Sequence, residues 1–294
     1  MLNFRKITVE DYARLHPYFY RFDSHGSEFS FANLFFWGDQ KVAFLNDTPV
    51  FLSLFDGYTY PYPATAPELI DELDRDAKER GIRFRLFGLT AEECRRLEAA
   101  QPGRFLFHPV RDSFDYVYSI DRLADLHGKH LQSKRNHCNR FEEAYPDYRV
   151  LPLTVDLLDR CREFTEHWYT AHIEGGPAMD YRGERRAIGL AFDNFEALHM
   201  EGILLETSDG MAAFSMGNRI REDTFDVNFE KALPDVNGAY PMVNREFARL
   251  LRGRYPELKY LNREDDMGIE GLRRAKESYE PDILLEKYLA EEKE

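Results

Sequence analysis

Apolar and polar residues recur along this chain in two rhythms, strict alternation and helical spacing, and the switches between them mark the elements. Asn3–Thr8 reads as a strand, Glu10–Arg21 and Glu28–Trp37 as helices, and Lys41–Asn46 and Val50–Phe55 as strands around a turn. Pro67–Arg80 reads as a helix closed by Gly81, the residue that best accepts a left-handed C-terminal cap. Arg83–Phe87 follows as a strand, Thr90–Ala100 as a helix with Thr90 as N-cap, then Phe105–His108 and Phe114–Ser119 as strands. His127–Tyr145 reads as one long helix.

The remaining residues give the same order of elements. Tyr148–Leu153 is a strand, Val155–His172 and Gly183–Leu198 are helices, and Ile203–Thr207, Met211–Asn218 and Thr224–Phe229 are three successive strands. Tyr240–Arg252 is a helix, Leu258–Leu261 a strand, Ile269–Lys276 a short helix and Ile283–Tyr288 a strand. Both halves therefore read β-α-α-β-β-(β)-α-β-α-β without repeating their sequence. This predicts an α/β chain with mixed sheets, divided into domains 1–126 and 127–294, the basic helix 127–145 belonging to the second. The order resembles that of the Gcn5-related N-acetyltransferase fold, used twice in tandem. That fold aims the helix after its fourth strand at the pyrophosphate of coenzyme A, since free N–H groups at a helix start suit an anion.

Composition narrows the function. The 294 residues are 43% hydrophobic, 14% aromatic and 31% charged, which excludes a disordered chain. The net charge of −14 excludes a uniformly basic nucleic-acid binder and leaves room for a local basic surface. Residues 1–150 carry 20 basic and 23 acidic side chains, and residues 151–294 carry 19 and 30. Cys94, Cys138 and Cys161 are odd in number and far apart, so neither a disulfide framework nor a thiolate metal site is expected. His167 and His172 are spaced poorly for shared metal ligation, and no metal is expected. With no leader segment and no apolar run long enough to span a bilayer, the expectation is a soluble, cytoplasmic protein.

Three stretches carry chemistry. The first is Gly128–Phe141, in which Lys129, Lys134, Arg135 and Arg140 occur with no acid between Leu126 and Phe141. Leu131, Cys138, Phe141 and Tyr145 share a helix face, Lys134 falls inside it and Arg135 at its edge, while Asn136 and Arg140 point away. The stretch reads either as a solvated basic face or as a pair, Lys134 and Arg135, holding a phosphate or carboxylate. The second is Val227–Ala232 followed by Val236–Asn244, where Gly238 allows close approach before a helix that Pro241 helps to start. It lacks the glycine-rich signature expected of a pyrophosphate loop. The third is Tyr260–Pro281, a strand leaving into the dense polar run Asn262-Arg263-Glu264-Asp265-Asp266 and then a short helix with Lys276 among its apolar positions. That run reads either as an ion-pair network or as a ligand site at a strand end.

The string Asn262-Arg263-Glu264-Asp265-Asp266-Met267-Gly268, with Gly271-Leu272-Arg273, Lys276, Ser278-Tyr279 and Pro281, resembles the phosphatidylglycerol lysyltransferase C-terminal domain family. Lys134-Arg135-Asn136 and Phe229-Glu230-Lys231-Ala232 with Gly238-Ala239-Tyr240 match its other blocks, and the resemblance runs from about Asp23 to Tyr288. It implies two tandem acetyltransferase-like domains, similar to the Fem-type aminoacyltransferases. It also implies a bacterial transferase that moves an aminoacyl group from aminoacyl-tRNA to a lipid head group or a small-molecule acceptor. Members of that family carry a transmembrane part before this domain; none is seen here, so the chain reads as a soluble relative. Within and just beyond the matching blocks, we expect substrate binding at Lys134, Arg135, Asn136, Gly238, Tyr240 and Asn244, with Lys134 and Arg135 on the donor's phosphates. The expected catalytic residues are Glu230 and Asn262, which with Asn244 would orient the acceptor, and Arg263, Asp266 and Lys276, which would stabilise charge or handle protons. The tRNA 3′ end would meet the basic stretch Lys129–Arg140. Acyl-CoA as the donor, or a binding protein that keeps the fold without catalysis, are the alternatives. No Gly-x-Ser-x-Gly elbow, Cys–His pair or phosphate-binding Walker loop is present.

Overall fold

The computed structural model describes residues 1–22, 24–37, 40–54, 57–62, 67–175 and 181–293, the side chains of 171–175 excepted. Asp23, Phe55, residues 63–66 of the proline-rich stretch Tyr60–Pro67 and the His172 side chain lie outside the description. The expected order of elements is present in both halves. The chain divides into two compact units: residues 1–115 with 265–269 and 284–294, and residues 116–264 with 270–283. This differs from the expected boundary at 126. Tyr116 onward pairs into the second unit's sheet, while the last strand returns to the first unit.

The first unit holds a three-stranded antiparallel sheet, Arg5–Lys6, Lys41–Leu45 and Thr48–Leu52. It also holds a four-stranded sheet in the order Tyr60–Pro61, Arg85–Leu89, Tyr288–Glu292, Phe105–Pro109. The helices Ile70–Arg80 and Ala91–Ala100 end and begin as their caps dictate. Gly81 takes φ 69° after the first, and Thr90 closes a capping box with Glu93 at the second. Ile70, Leu73, Leu86, Leu97, Phe105 and Ala290 close one core. The expected strand Ile283–Tyr288 is two strands, Ile283–Leu285 and Tyr288–Glu292, in different sheets. Between them Lys287 is 2% exposed and donates to Asp115 Oδ1 (2.7 Å), Glu28 Oε1 (2.6 Å) and Ser27 Oγ (3.3 Å).

The second unit is built on a seven-stranded mixed sheet. Its order is Ile283–Leu285, Asp115–Ser119, Tyr260–Asn262, Thr224–Ala232, Gly210–Arg221, Glu201–Thr207, Arg149–Pro152. The helix Ala239–Arg254 lays Met242, Val243, Phe247, Ala248 and Leu251 on the sheet, where Phe247 meets Phe225 edge-on at 5.5 Å. The helix expected over His127–Tyr145 begins only at Gln132. Leu126 (φ 53°) and Gly128 (φ 90°) are left-handed and break it from a separate short helix, Ile120–Asp125, that sequence reading missed. Among the described residues no helix is long and apolar enough to cross a membrane.

Two outcomes test the first unit. A chain ending at Ile283 loses a central strand and Lys287 together, so amide exchange in residues 85–109 should become fast. Glu28 lies with Asp115 and Asp265 around one lysine. Burial pushes its carboxyl from 4.5 up to about 7; Lys287 opposes that rise and Asp115 adds to it. A carboxyl raised on folding binds its proton more tightly in the native state. Its contribution is therefore fully present below pH 4.5 and lost as the pH rises through about 7. Glu28→Gln should flatten the fall in urea midpoint between about pH 5 and about pH 8.

Candidate functional site

The strands Thr224–Ala232 and Tyr260–Asn262 pair in parallel for only three residues, ending at Asp226↔Asn262. The longer strand then runs on through Ala232, and the two backbones separate. On its other side, Met216 faces Phe229 while Asn218 faces Asp226, so one extra residue bulges from Thr224–Ala232 opposite Gly217. Gly217 is obligatory there, because a Cβ would lie 1.8 Å from the Asp226 carbonyl oxygen. The bulge shifts the alternation. Glu230 consequently faces the same side as Phe225 and Val227, toward the helices Gln132–Ala144 and Ala239–Arg254.

Side chains fill the gap. Arg263, the first residue past the pairing, places Nη2 2.8 Å from Glu230 Oε1. Asn244, on the helix Ala239–Arg254, donates Nδ2 to Glu230 Oε2 at 3.2 Å. A carboxylate can only accept, so this contact fixes the amide orientation and turns Asn244 Oδ1 away from Glu230. The Lys134 ammonium stands 4.2 Å above the Tyr279 ring, and the Arg263 guanidinium stands 5.0 Å from the same ring. Lys276, 8% exposed, donates to the Arg263 carbonyl at 2.5 Å, while the Tyr118 hydroxyl donates to the Lys276 carbonyl at 2.7 Å. This clamp holds the Arg263 backbone.

The electrostatics are those of a donor-rich site. Arg263 pairs with the Glu230 carboxylate, and Lys134 is a second cation over the same Tyr279 ring. Burial lowers the Lys134 pKa, and the Arg263 charge lowers it further. Burial disfavours the Arg263 charge, yet Glu230, Tyr118 and Tyr279 together offset that and raise its pKa. Three buried polar atoms of the cluster have no hydrogen-bond partner: Arg263 Nη1, Asn244 Oδ1 and Ser215 Oγ. Ser215 sits directly across from Glu230 in the antiparallel pairing, so both side chains leave the same face. Leaving such a group unpaired costs about 1–3 kcal/mol, which native cores rarely tolerate without a function.

Of the residues expected at the site, Glu230, Asn244, Arg263 and Lys134 come together, and Lys276 supports them through the backbone. Others are placed differently. The Arg135 fork closes on the carbonyls of Leu126 and Gly128 and on Gln132 Oε1, fixing the loop before its helix rather than holding a phosphate. Asn136 is exposed and bonds Gln132. Asn262 is buried and accepts the Glu264 N–H at 2.6 Å, shaping the turn out of the strand. Asp266 belongs to the first unit, where it binds Arg111 Nη1 at 3.0 Å and the Gly268 N–H at 2.9 Å. Gly238 takes φ 85°, and a Cβ there would lie 2.4 Å from the His137 carbonyl. Its freedom serves helix-to-helix contact rather than a pyrophosphate. Tyr240 leaves 37% of its surface exposed while its hydroxyl end packs beside Trp168, and burial pushes that hydroxyl up to about 12.

Sequence reading missed Ser215, Tyr118 and the ring of Tyr279. Only Tyr279 left a local trace, its place in the Ser278-Tyr279 pair of the last motif. The three cysteines are buried free thiols, and burial pushes Cys138 up to about 11 and Cys94 and Cys161 up to about 12, away from thiolate chemistry.

Gly238→Ala should destabilise the protein by about 2 kcal/mol or more, through positive φ and the clash with His137. A chemical-denaturation midpoint checks this.

A conserved protein of unknown function from Bacteroides thetaiotaomicron superposes on the whole chain with TM-score 0.91 and 36% identity, each chain covered completely. The structure of L-PGS from Bacillus licheniformis matches 88% of this chain and 85% of its own with TM-score 0.60 at 16% identity. FemX matches 99% and 96% with TM-score 0.56 at 8% identity, and so shares the tandem acetyltransferase-like fold. An uncharacterised protein of Mycoplasmoides gallisepticum is 24% identical over 179 residues, an alignment that spans 56% of its length. The family model for the C-terminal part of phosphatidylglycerol lysyltransferase matches residues 19–291, and this chain belongs to that family.

Proposed function

We propose that the second unit transfers an aminoacyl group from an ester donor of the aminoacyl-tRNA kind to an amine or hydroxyl acceptor. The observation that carries the reading is the buried, unpartnered Arg263 Nη1 beside the half-buried Lys134 ammonium. The family and the fold neighbours support an aminoacyltransferase-type activity; the donor, the acceptor and the residue roles are our reading.

In this reaction the acceptor's nitrogen or oxygen attacks the ester carbonyl, and negative charge grows on the carbonyl oxygen. Arg263 Nη1 and Lys134 Nζ are donors held ready for that oxygen, in surroundings where such contacts are stronger than in water. Glu230, oriented by Asn244 and Arg263, receives the proton given up by the acceptor. When the tetrahedral intermediate collapses, the bond to the ribose oxygen breaks and that oxygen takes the proton that Glu230 has received from the acceptor. No covalent intermediate on the chain is needed. Asn244 Oδ1 and Ser215 Oγ remain as acceptors for N–H groups of the substrate. Coenzyme A fits less well, because Gly238 is taken up by packing against His137 and Asp235 precedes the helix start.

The test is transfer from a panel of charged tRNAs to amino acids, small amines and phosphatidylglycerol vesicles, with acyl-CoA as a parallel donor. Arg263→Gln and Lys134→Met should each lower kcat/KM by about 100-fold, the usual loss for one oxyanion donor. Full activity in Arg263→Gln, or transfer from acyl-CoA alone, would remove the reading.

A further inference from the structure

We propose that the exposed face of the helix Gln132–Ala144, with the loop before it, seats the phosphate backbone of the RNA that carries the aminoacyl ester. The inference rests on the aminoacyl-transfer reading and adds the surface that brings the donor in.

The helix has two unlike sides. Leu131, Cys138 and Phe141 are buried in the core, and Lys134 leans over Tyr279 in the site. The other side exposes Lys129, Gln132, Ser133, Asn136, Asn139 and Arg140, residues that follow one another at helical spacing. Lys129 and Arg140 form no ion pair among the described residues. Many of the chain's other arginines are committed to carboxylates, as Arg104 is to Asp71, Asp74 and Glu292. No acid occurs between Leu126 and Phe141 in a chain of net charge −14. Acids do border the face. His127 lies 3.8 Å from Asp125, His130 is paired with Glu280 at 2.9 Å, and Glu143 is exposed one turn beyond Arg140.

Cations, carboxamides and a hydroxyl are the side chains that contact phosphate and sugar oxygens, and such contacts position a nucleic acid without reading its sequence. A transferase of this kind must position the end of its donor, and the stripe lies on the same helix as Lys134. An anionic bilayer would also attract the two cations. A helix that lies on a bilayer, however, brings bulky apolar side chains into the interface. From Gln132 to Arg140 every exposed residue is polar.

The experiment is filter binding of uncharged tRNA to the full chain over a range of salt, for the wild type and for Lys129→Gln/Arg140→Gln. Transfer is followed in parallel from charged tRNA and from a 3′-aminoacyl adenosine, which has no phosphate backbone. The double variant should bind tRNA about tenfold or more weakly, with the log–log salt dependence shallower by about 2. Its transfer from the adenosine ester should be unchanged, and Lys259→Gln should behave as wild type. If charged tRNA is a donor and the double variant binds it as tightly as wild type, the surface is wrong while the activity stands. If the variant instead loses affinity for phosphatidylglycerol vesicles and keeps its affinity for tRNA, the face is a bilayer contact and the proposal falls. If the wild type neither binds tRNA nor accepts it as a donor, the transfer reading fails first and takes this inference with it.

Discussion

The second unit depends on where two strands stop touching. Three parallel residue pairs join Thr224–Ala232 to Tyr260–Asn262, and beyond Asp226↔Asn262 the ladder ends. Backbone groups that would have paired across the gap give way to side chains, and the side chains there are charged. A hydrophobic plug would have been more stable in the same space, because a buried ion pair gains little once desolvation is counted. Glu230 and Arg263 bridge the opening, and removing either would strand the other as a buried charge. The bulge opposite Gly217 is the second half of the device. Without the extra residue, Glu230 would face away from Asn244 and from the helix that carries Lys134.

Two clusters of buried charge, one around Lys287 and one around Glu230, are built differently. In the first, Lys287 is enclosed by Asp115, Glu28 and Ser27, with donor and acceptors matched. That arrangement pins the C-terminal segment and has the character of a structural cluster. In the second, the cations exceed the carboxylates, and Arg263 Nη1 and Asn244 Oδ1 are left without partners. Stability would be served by satisfying them. Those free atoms beside a strand split are the reason the cluster is read as a ligand site in the proposed function rather than as a closed ion-pair network.

How much of this was legible in the sequence follows from the range of the interactions. Caps act within four residues, so Thr90 and Gly81 marked their helix ends correctly. Helical periodicity also placed Lys134 and Lys276 inward, since one face of a helix is fixed once its apolar residues are known. The helix start at Gln132 was missed because Leu126 adopts left-handed backbone, which a leucine does not advertise, and Gly128, also left-handed, was read as part of the helix. The Arg135 fork was drawn to the carbonyls of that same unforeseen loop. Ser215 was out of reach altogether, because its place opposite Glu230 is set by strand register and by a bulge that no local pattern encodes.

The polar run after Asn262 shows the same limit most clearly. In sequence, Asn262, Arg263 and Asp266 look like one cluster, since four residues seldom carry a side chain far. The chain turns sharply at Glu264 (φ 55°), held by Asn262 Oδ1, and the residues from Asp265 to Ile269 fold with the first unit. Arg263 is thus kept for Glu230, and Asp266 is delivered to Arg111. One Asx-type turn separates the residue that pairs with Glu230 from the one that pairs with Arg111. Adjacency in the motif therefore does not argue for a shared role. The chemistry has to be assigned from the side chains that converge on Glu230.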